Sequence, residues 1–394
     1  MKLTKLVIKD HEQFRDLELD FTYPESHPKA GQPLSKVCFI GQNGVGKTKI
    51  LDLILKPYQY LTPSNIEYTV ESKRTGRFTF DVKTELQSFW NEFNFENNPS
   101  KIIYFPLTGN LVGFNPQLGN QTDWNFTDQK VIIADQQIVN QLAQRISFLE
   151  TADSNNFKYD SQENKNPDIK SYQRVENLFS NIENLLSGSN LKYKGFSRNT
   201  KILVLENQSG DEIKVDDLSS GTKQIIYQIL PLQEINPNDS IILIDEPETS
   251  LHPELQKKIV DIYTKTGTDN QFFFATHSPI IAGQFEKDEI FILYFDEDGV
   301  VRVRKPQENI NYLDLEATVE ILYPEINPTN SNTQSGDLKL FEVKKTVSML
   351  KKLEAESGKD TFEFENLWSK YLKQADEISL YTTYPEYQYY APNK

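Results

Sequence analysis

The sequence has a single cysteine, Cys38, so no internal disulfide can staple the fold. That fits a reducing compartment and a cytoplasmic protein. Cys38 lies in the apolar run KVCFIG and reads as a small buried strand residue. No apolar run approaches the length that spans a bilayer, and the opening MKLTKLVIKDHEQF does not read as a signal peptide. No membrane partner is expected. Positive charge is in short supply: 42 basic against 57 acidic residues leave a net charge of −15. A whole-surface attraction to nucleic acid is therefore not expected, because phosphate binding needs clustered cations. A local basic groove formed in an oligomer stays open. The run Lys73-Arg74-Thr75-Gly76-Arg77 reads as a solvated hairpin turn. Sustained heptads are missing as well, which excludes a long coiled coil.

What is present is enough for a globular α/β protein. Hydrophobic residues make up only 37%, but aromatics reach 12%, so a core can be buried. LTKLVIKD and LELDFTY alternate as strands, and KVCFI follows a Pro/Gly-rich loop. KTKILDLILK is helical and stops at Pro57. IEYTVESKRTGRFTFDVK reads as a hairpin, KIIYFPL as a strand and VIIADQQIVNQLAQRISFLE as an amphipathic helix. The polar stretch from Thr151 to Lys170 reads as a loop, and SYQRVENLFSNIENLLSG as a helix ending at Gly188. KILVLEN, SIILIDE and QFFFATH read as strands, with SGTKQIIYQIL and PELQKKIVDIYTK as helices between them. The continuous apolar runs IILI and FFFA predict central strands covered on both faces, in a sheet of parallel character. EIFILYFDEDGVVRVRK reads as a hairpin turned by Asp298-Gly299. Two helical segments and a tail carrying Tyr381, Tyr384, Tyr387, Tyr389 and Tyr390 close the chain.

Four segments carry chemistry. Gly41-Gln42-Asn43-Gly44-Val45-Gly46-Lys47-Thr48 matches G-x-x-x-x-G-K-[ST] between a strand and a helix. Its glycines let backbone amides turn inward around a polyphosphate, and the helix N-terminus adds positive potential. Asn43 lies in the same loop. Lys47 is expected on the β- and γ-phosphates and Thr48 on Mg²⁺. IILI ends in two successive carboxylates, Asp245 and Glu246. The first is placed to hold Mg²⁺ through its water shell, the second to orient or deprotonate the attacking water. Leu218-Ser219-Ser220-Gly221-Thr222-Lys223-Gln224 opens a helix with free amides and hydroxyls, either as an ordinary cap or as an anion site. Ala275-Thr276-His277-Ser278 sets a histidine at a strand end, where it can hydrogen-bond a γ-phosphate.

The order GQNGVGKT, LSSGTKQ, ILIDEPETSLHP and ATHSP resembles the ATP-binding cassette superfamily, within the branch of SMC, RecF and OLD-type ATPases. The resemblance spans about residues 1–285, with no motif placed between Thr48 and Leu218. It implies an ABC-type P-loop head of mixed and parallel sheet, a short helical insertion in place of a long coiled coil, and a small α+β C-terminal lobe. The division expected is 1–57 and 201–285 for the head, 58–200 for the insertion and 286–394 for the C-terminal lobe. It also implies a homodimer that sandwiches two ATP molecules with Mg²⁺. Ser219, Ser220 and Gly221 of one chain would then complete the site built by Gly41, Asn43, Gly44, Gly46, Lys47 and Thr48 of the other. Glu246 becomes the catalytic carboxylate, His277 the switch histidine, and Pro247 to His252 the D-loop region. Ser220 and Thr222 depart from the commonest signature, and His252 stands where an Asp is usual. Gln87 is the candidate for the Q-loop glutamine.

Compact ATPases of this branch resemble the ATPase subunits of bacterial anti-phage systems of Septu, retron and PARIS type. That implies a separate effector, a nuclease, docked on the C-terminal lobe or tyrosine-rich tail. The alternatives are a DNA repair or recombination clamp of RecF or SMC type, and an ATPase fused to its own nuclease. Asp296 and Asp298 form a D-x-D that the fused nuclease would use and that a hairpin turn also explains.

Overall fold

The computed structural model describes residues 1–59, 66–72, 76–81, 85, 100–106, 129–162, 173–185, 191–196, 203–296, 298–310, 315–323, 346–347, 349–350, 353–354 and 362–377. In chain order the strands are β1 (Lys2–His11), β2 (Arg15–Asp20), β3 (Lys36–Gly41), β4 (Ile66–Ser72), β5 (Gly76–Asp81), β6 (Ile102–Phe105), β7 (Val131–Ile133), β8 (Lys192–Phe196), β9 (Leu203–Glu206), β10 (Glu212–Lys214), β11 (Ile241–Asp245), β12 (Gln271–Thr276), β13 (Ile290–Phe295) and β14 (Val301–Arg304). The helices are α1 (Lys47–Leu55), α2 (Gln136–Gln162), α3 (Arg174–Leu185), α4 (Ser220–Ile235), α5 (Pro253–Thr264), α6 (Pro279–Ala282), α7 (Leu315–Leu322) and α8 (Phe362–Glu377).

The centre is a seven-stranded sheet in the order β14-β13-β3-β12-β11-β6-β7. All its neighbours run parallel except the β13–β14 hairpin. Every residue of β11 and of β12 is buried, as continuous apolar runs require when both faces are covered. Successive side chains enter opposite cores. Cys38, Ile40, Ile242, Ile244, Phe272 and Phe274 join the core built with α2, α3, α4 and α5. Val37, Phe39, Ile241, Leu243, Phe273 and Ala275 join the core under α1 and the antiparallel sheet β2-β1-β4-β5. Phe21 stands edge-on to Phe273 and Phe291 in that second core, with centroids 5.1 and 5.4 Å apart. Burying a large apolar side chain of this kind contributes about 1.5–3 kcal/mol. A third, three-stranded sheet has the order β10-β9-β8.

The structure corrects several expectations. Val131–Ile133 is strand β7 at the sheet edge, not helix, and α2 begins only after Asp135. The β-branched Val-Ile-Ile run pairs with β6, and Asp135 Oδ1 accepts the Ile138 amide at 3.3 Å as a cap. α2 then continues to Gln162, so the polar stretch from Thr151 is helical that far. From Gln136 to Gln162 there is no Gly or Pro to stop a helix already nucleated on its amphipathic first half. β4 and β5 extend the N-terminal sheet, while β6, β7, β13 and β14 complete the central one. The polar stretch beyond Gln162, the tyrosine-rich tail and Gln87 lie outside the described residues.

Candidate functional site

β3 delivers Gly41 to the C-terminal edge of the parallel sheet, and the loop 41–46 leads into α1. Gly41 pairs with Leu293 of β13, and a Cβ there would lie 2.3 Å from the Leu293 carbonyl oxygen. Gly44 and Gly46 have φ of +86° and +92°, the left-handed region that glycine enters without strain. Lys47 is buried, and Nζ donates to the carbonyls of Gly41 at 2.8 Å and Gln42 at 3.0 Å. Burial lowers its pKa, while Glu246, Glu248 and Asp245 pull the other way. The ammonium is thus held under the loop, with three carboxylates close enough to act on it.

β11, two strands away, brings Asp245 to the same edge. Thr48 Oγ1 donates to Asp245 Oδ2 at 2.9 Å and lies 3.1 Å from Oδ1. Burial raises the Asp245 carboxyl to about 6. A hydroxyl and a buried carboxylate in contact are hard oxygen donors of the kind Mg²⁺ takes, together with water and substrate phosphate. Among the described residues no group of three or more His, Cys, Asp or Glu gathers as an all-protein metal site.

Glu246 follows with φ of +48°, an uncommon conformation for a residue with a side chain. Its amide donates to Ala275 O at 2.8 Å, carrying the parallel ladder one step beyond Asp245. β12 ends beside it, and His277 Nδ1 lies 3.4 Å from Glu246 Oε1. The phosphate loop, Asp245, Glu246 and His277 therefore meet at adjacent strand ends, an outcome their distant sequence positions could not show.

The signature segment stands apart from this cluster. Ser219 caps α4, accepting from the Thr222 amide at 3.3 Å and sharing a hydrogen bond with its hydroxyl at 2.8 Å. Ser219 and Ser220 are exposed, whereas Gly221 is buried. Neither serine hydrogen-bonds the phosphate loop of its own chain. Gln224 Nε2 donates to Pro247 O at 3.3 Å, fastening α4 to the turn after β11. His252, in place of an Asp, caps α5 by accepting the Glu254 amide at 3.4 Å.

Some site residues were not singled out from sequence. The β1–β2 turn leans on the phosphate loop: Gln13 Nε2 donates to Gly44 O at 2.9 Å, and a Cβ on Gly46 would meet Phe14 at 2.8 Å. Tyr323, just past α7, donates its hydroxyl to His277 O at 2.8 Å. Glu248 reaches into the His277 loop rather than serving the D-loop alone. The third carboxylate in DEPE was the available signal for that residue.

Asp296 supports the turn reading. Its Oδ1 accepts the amides of Val300 at 2.8 Å and Asp298 at 3.1 Å, and Arg302 holds its carboxyl below the usual range. Among the described residues no helix is long and apolar enough to cross a membrane.

Residues 124–282 match the family described as "AAA domain, putative AbiEii toxin, Type IV TA system". The chain is 24% identical over 340 residues to Septu protein PtuA of Bacillus mycoides (strain KBAB4), covering 75% of this chain but 41% of that one. It is 24% identical over 304 residues to Septu protein PtuA of Bacillus thuringiensis, covering 71% and 74% of the two chains. Over 166 residues it is 26% identical to the "Retron Vc95 probable ATPase" of Vibrio cholerae serotype O1 biovar El Tor, covering 38% of this chain and 29% of that one. The order of the motifs and these likenesses make the chain similar to P-loop ATPase heads of ABC type, to Septu protein PtuA and to a retron probable ATPase.

Proposed function

We propose that the chain binds and hydrolyses ATP with Mg²⁺ between two copies of itself, and so controls a separate effector, a nuclease, in anti-phage defence. The observation that carries the reading is the division of the site. Lys47, Thr48, Asp245, Glu246 and His277 gather at one sheet edge, while the exposed Ser219-Ser220 cap bonds only within its own helix. A helix N-terminus with exposed serines, standing outside the gathered phosphate site, fits a contribution to the partner copy's nucleotide.

In the closed state the amides of the loop 41–48 cradle the phosphates, and Lys47 exchanges the Gly41 and Gln42 carbonyls for phosphate oxygens. Thr48 and Asp245 would hold Mg²⁺, which would offset phosphate charge when bound. Glu246 orients a water for in-line attack on the γ-phosphorus and takes its proton, giving ADP and phosphate. His277 and the partner's signature helix bear on the γ-phosphate.

The DNA-clamp alternative gains no support from the described surface of the N-terminal sheet. Lys5, Lys9 and Arg77 there pair with Glu18, Glu67 and Glu71. The fused-nuclease alternative loses its D-x-D to a turn. The test is sedimentation of purified chain with ATP and Mg²⁺, together with phosphate release. A chain that turns over ATP as a strict monomer overturns the shared-site reading.

A further inference from the structure

Glu248 is a buried carboxylate, its side chain 4% exposed, three residues beyond Asp245. Its Oε1 accepts from Thr276 Oγ1 at 2.5 Å, from the His277 amide at 2.8 Å and from the Ser278 amide at 3.0 Å. The same oxygen lies 3.3 Å from His277 Nδ1, on the ring edge that Glu246 Oε1 approaches at 3.4 Å. Oε2 is buried without a hydrogen-bond partner.

Burying a carboxylate costs several kcal/mol even when it is well bonded. The three donors of the loop ask only for an oxygen acceptor, which a glutamine amide supplies at lower cost. The ring is a fourth group on that same oxygen, and a charged oxygen is a stronger acceptor for it than an amide oxygen. An acceptor held against Nδ1 keeps the hydrogen there, fixes the ring plane and leaves Nε2 as the nitrogen turned outward. Glu246 is less suited to this task. It is 23% exposed and has the attacking water to manage in the reading above.

We propose that Glu248 is the positioning residue for His277: one carboxylate clamps the loop 276–278 and sets which ring nitrogen carries hydrogen. The role of the ring in turnover rests on the ATPase reading, whereas the state of the ring does not. The test uses the full chain labelled with ¹⁵N-histidine. There are four histidines, and His277→Asn assigns the signal. The expected result without nucleotide is a ring protonated on Nδ1 in the wild type and in Glu248→Asp, with loss of that state in Glu248→Gln. In turnover, Glu248→Gln is expected to lower kcat about 10- to 100-fold, the loss typical when the partner orienting an imidazole is removed. KM for ATP should stay within about threefold, and the variant should cost little more in a His277→Ala background. A ring unchanged in Glu248→Gln overturns the proposal and assigns the ring to Glu246. An equal loss of kcat in the His277→Ala background reduces Glu248 to a structural part. Should Glu248→Gln fail to fold, a wild-type ring protonated on Nε2 alone overturns it. A wild type that binds but never hydrolyses ATP sinks the ATPase reading and leaves the ring result standing.

Discussion

Gly221 packs against the Ser250 carbonyl so closely that a Cβ at position 221 would lie 2.3 Å from its oxygen. The signature segment and the turn after β11 are therefore one packed unit within the chain, and Ser250 holds a φ of +61° at the contact. Gly221→Ala must displace that turn. A loss of about 1–3 kcal/mol in urea unfolding is expected, as for overpacking elsewhere. ATP-dependent dimerisation should fall with it, read by sedimentation. Ser219→Ala, which removes only an exposed cap, should cost about 1 kcal/mol.

In the proposed reaction Lys47 and Glu246 act at different stages, and their variants should separate. Lys47→Ala leaves the Gly41 and Gln42 carbonyls without this donor and removes the proposed phosphate contact. ATP affinity measured by calorimetry should weaken by about 2–5 kcal/mol. Glu246→Gln keeps the phosphate loop intact and should bind ATP normally. Its turnover should drop about 10²- to 10⁴-fold, with a nucleotide-bound dimer accumulating.

Asp245 makes stability depend on pH. Its carboxyl sits at about 6 in the fold because of burial, above its value in the unfolded chain. The folded state therefore binds the extra proton, and the associated stability is full below the unfolded value and lost as pH rises through about 6. Asp245→Asn should stabilise the nucleotide-free chain at pH 7.5 by up to about 3 kcal/mol and change little at pH 4. The same variant should abolish stabilisation by Mg²⁺-ATP. Urea midpoints at the two pH values, with and without nucleotide, check both statements.

Tyr323 ties the segment after the central sheet to the switch loop through its bond to the His277 carbonyl. Tyr323→Phe should cost about 0.5–1.5 kcal/mol in stability. If the loop is positioned from this side as well, kcat should fall more than KM changes. Equal kcat in Tyr323→Phe and wild type confines Tyr323 to packing.

Much of the site was legible from local pattern. A glycine loop between strand and helix, an apolar strand ending in two carboxylates and a histidine at the end of FFFA each declare their chemistry by spacing. The outermost strands were harder to read. Val131–Ile133 is three residues long and merges with the helix that follows, so its strand character depends on β6 beside it. The joining of β4 and β5 to the sheet of β1, and of β6, β7, β13 and β14 to the central sheet, is non-local pairing that no segment declares by itself.

By itself, then, the order of residues determined the phosphate loop, the paired carboxylates, the signature cap and the parallel character of the sheet, since each depends on neighbours within a few positions. Only the tertiary structure decided that Thr48 meets Asp245, that Gly221 abuts Ser250 and that Glu248 turns into the His277 loop. Those contacts join segments brought together by sheet order and packing, and no local periodicity encodes which strand ends lie side by side.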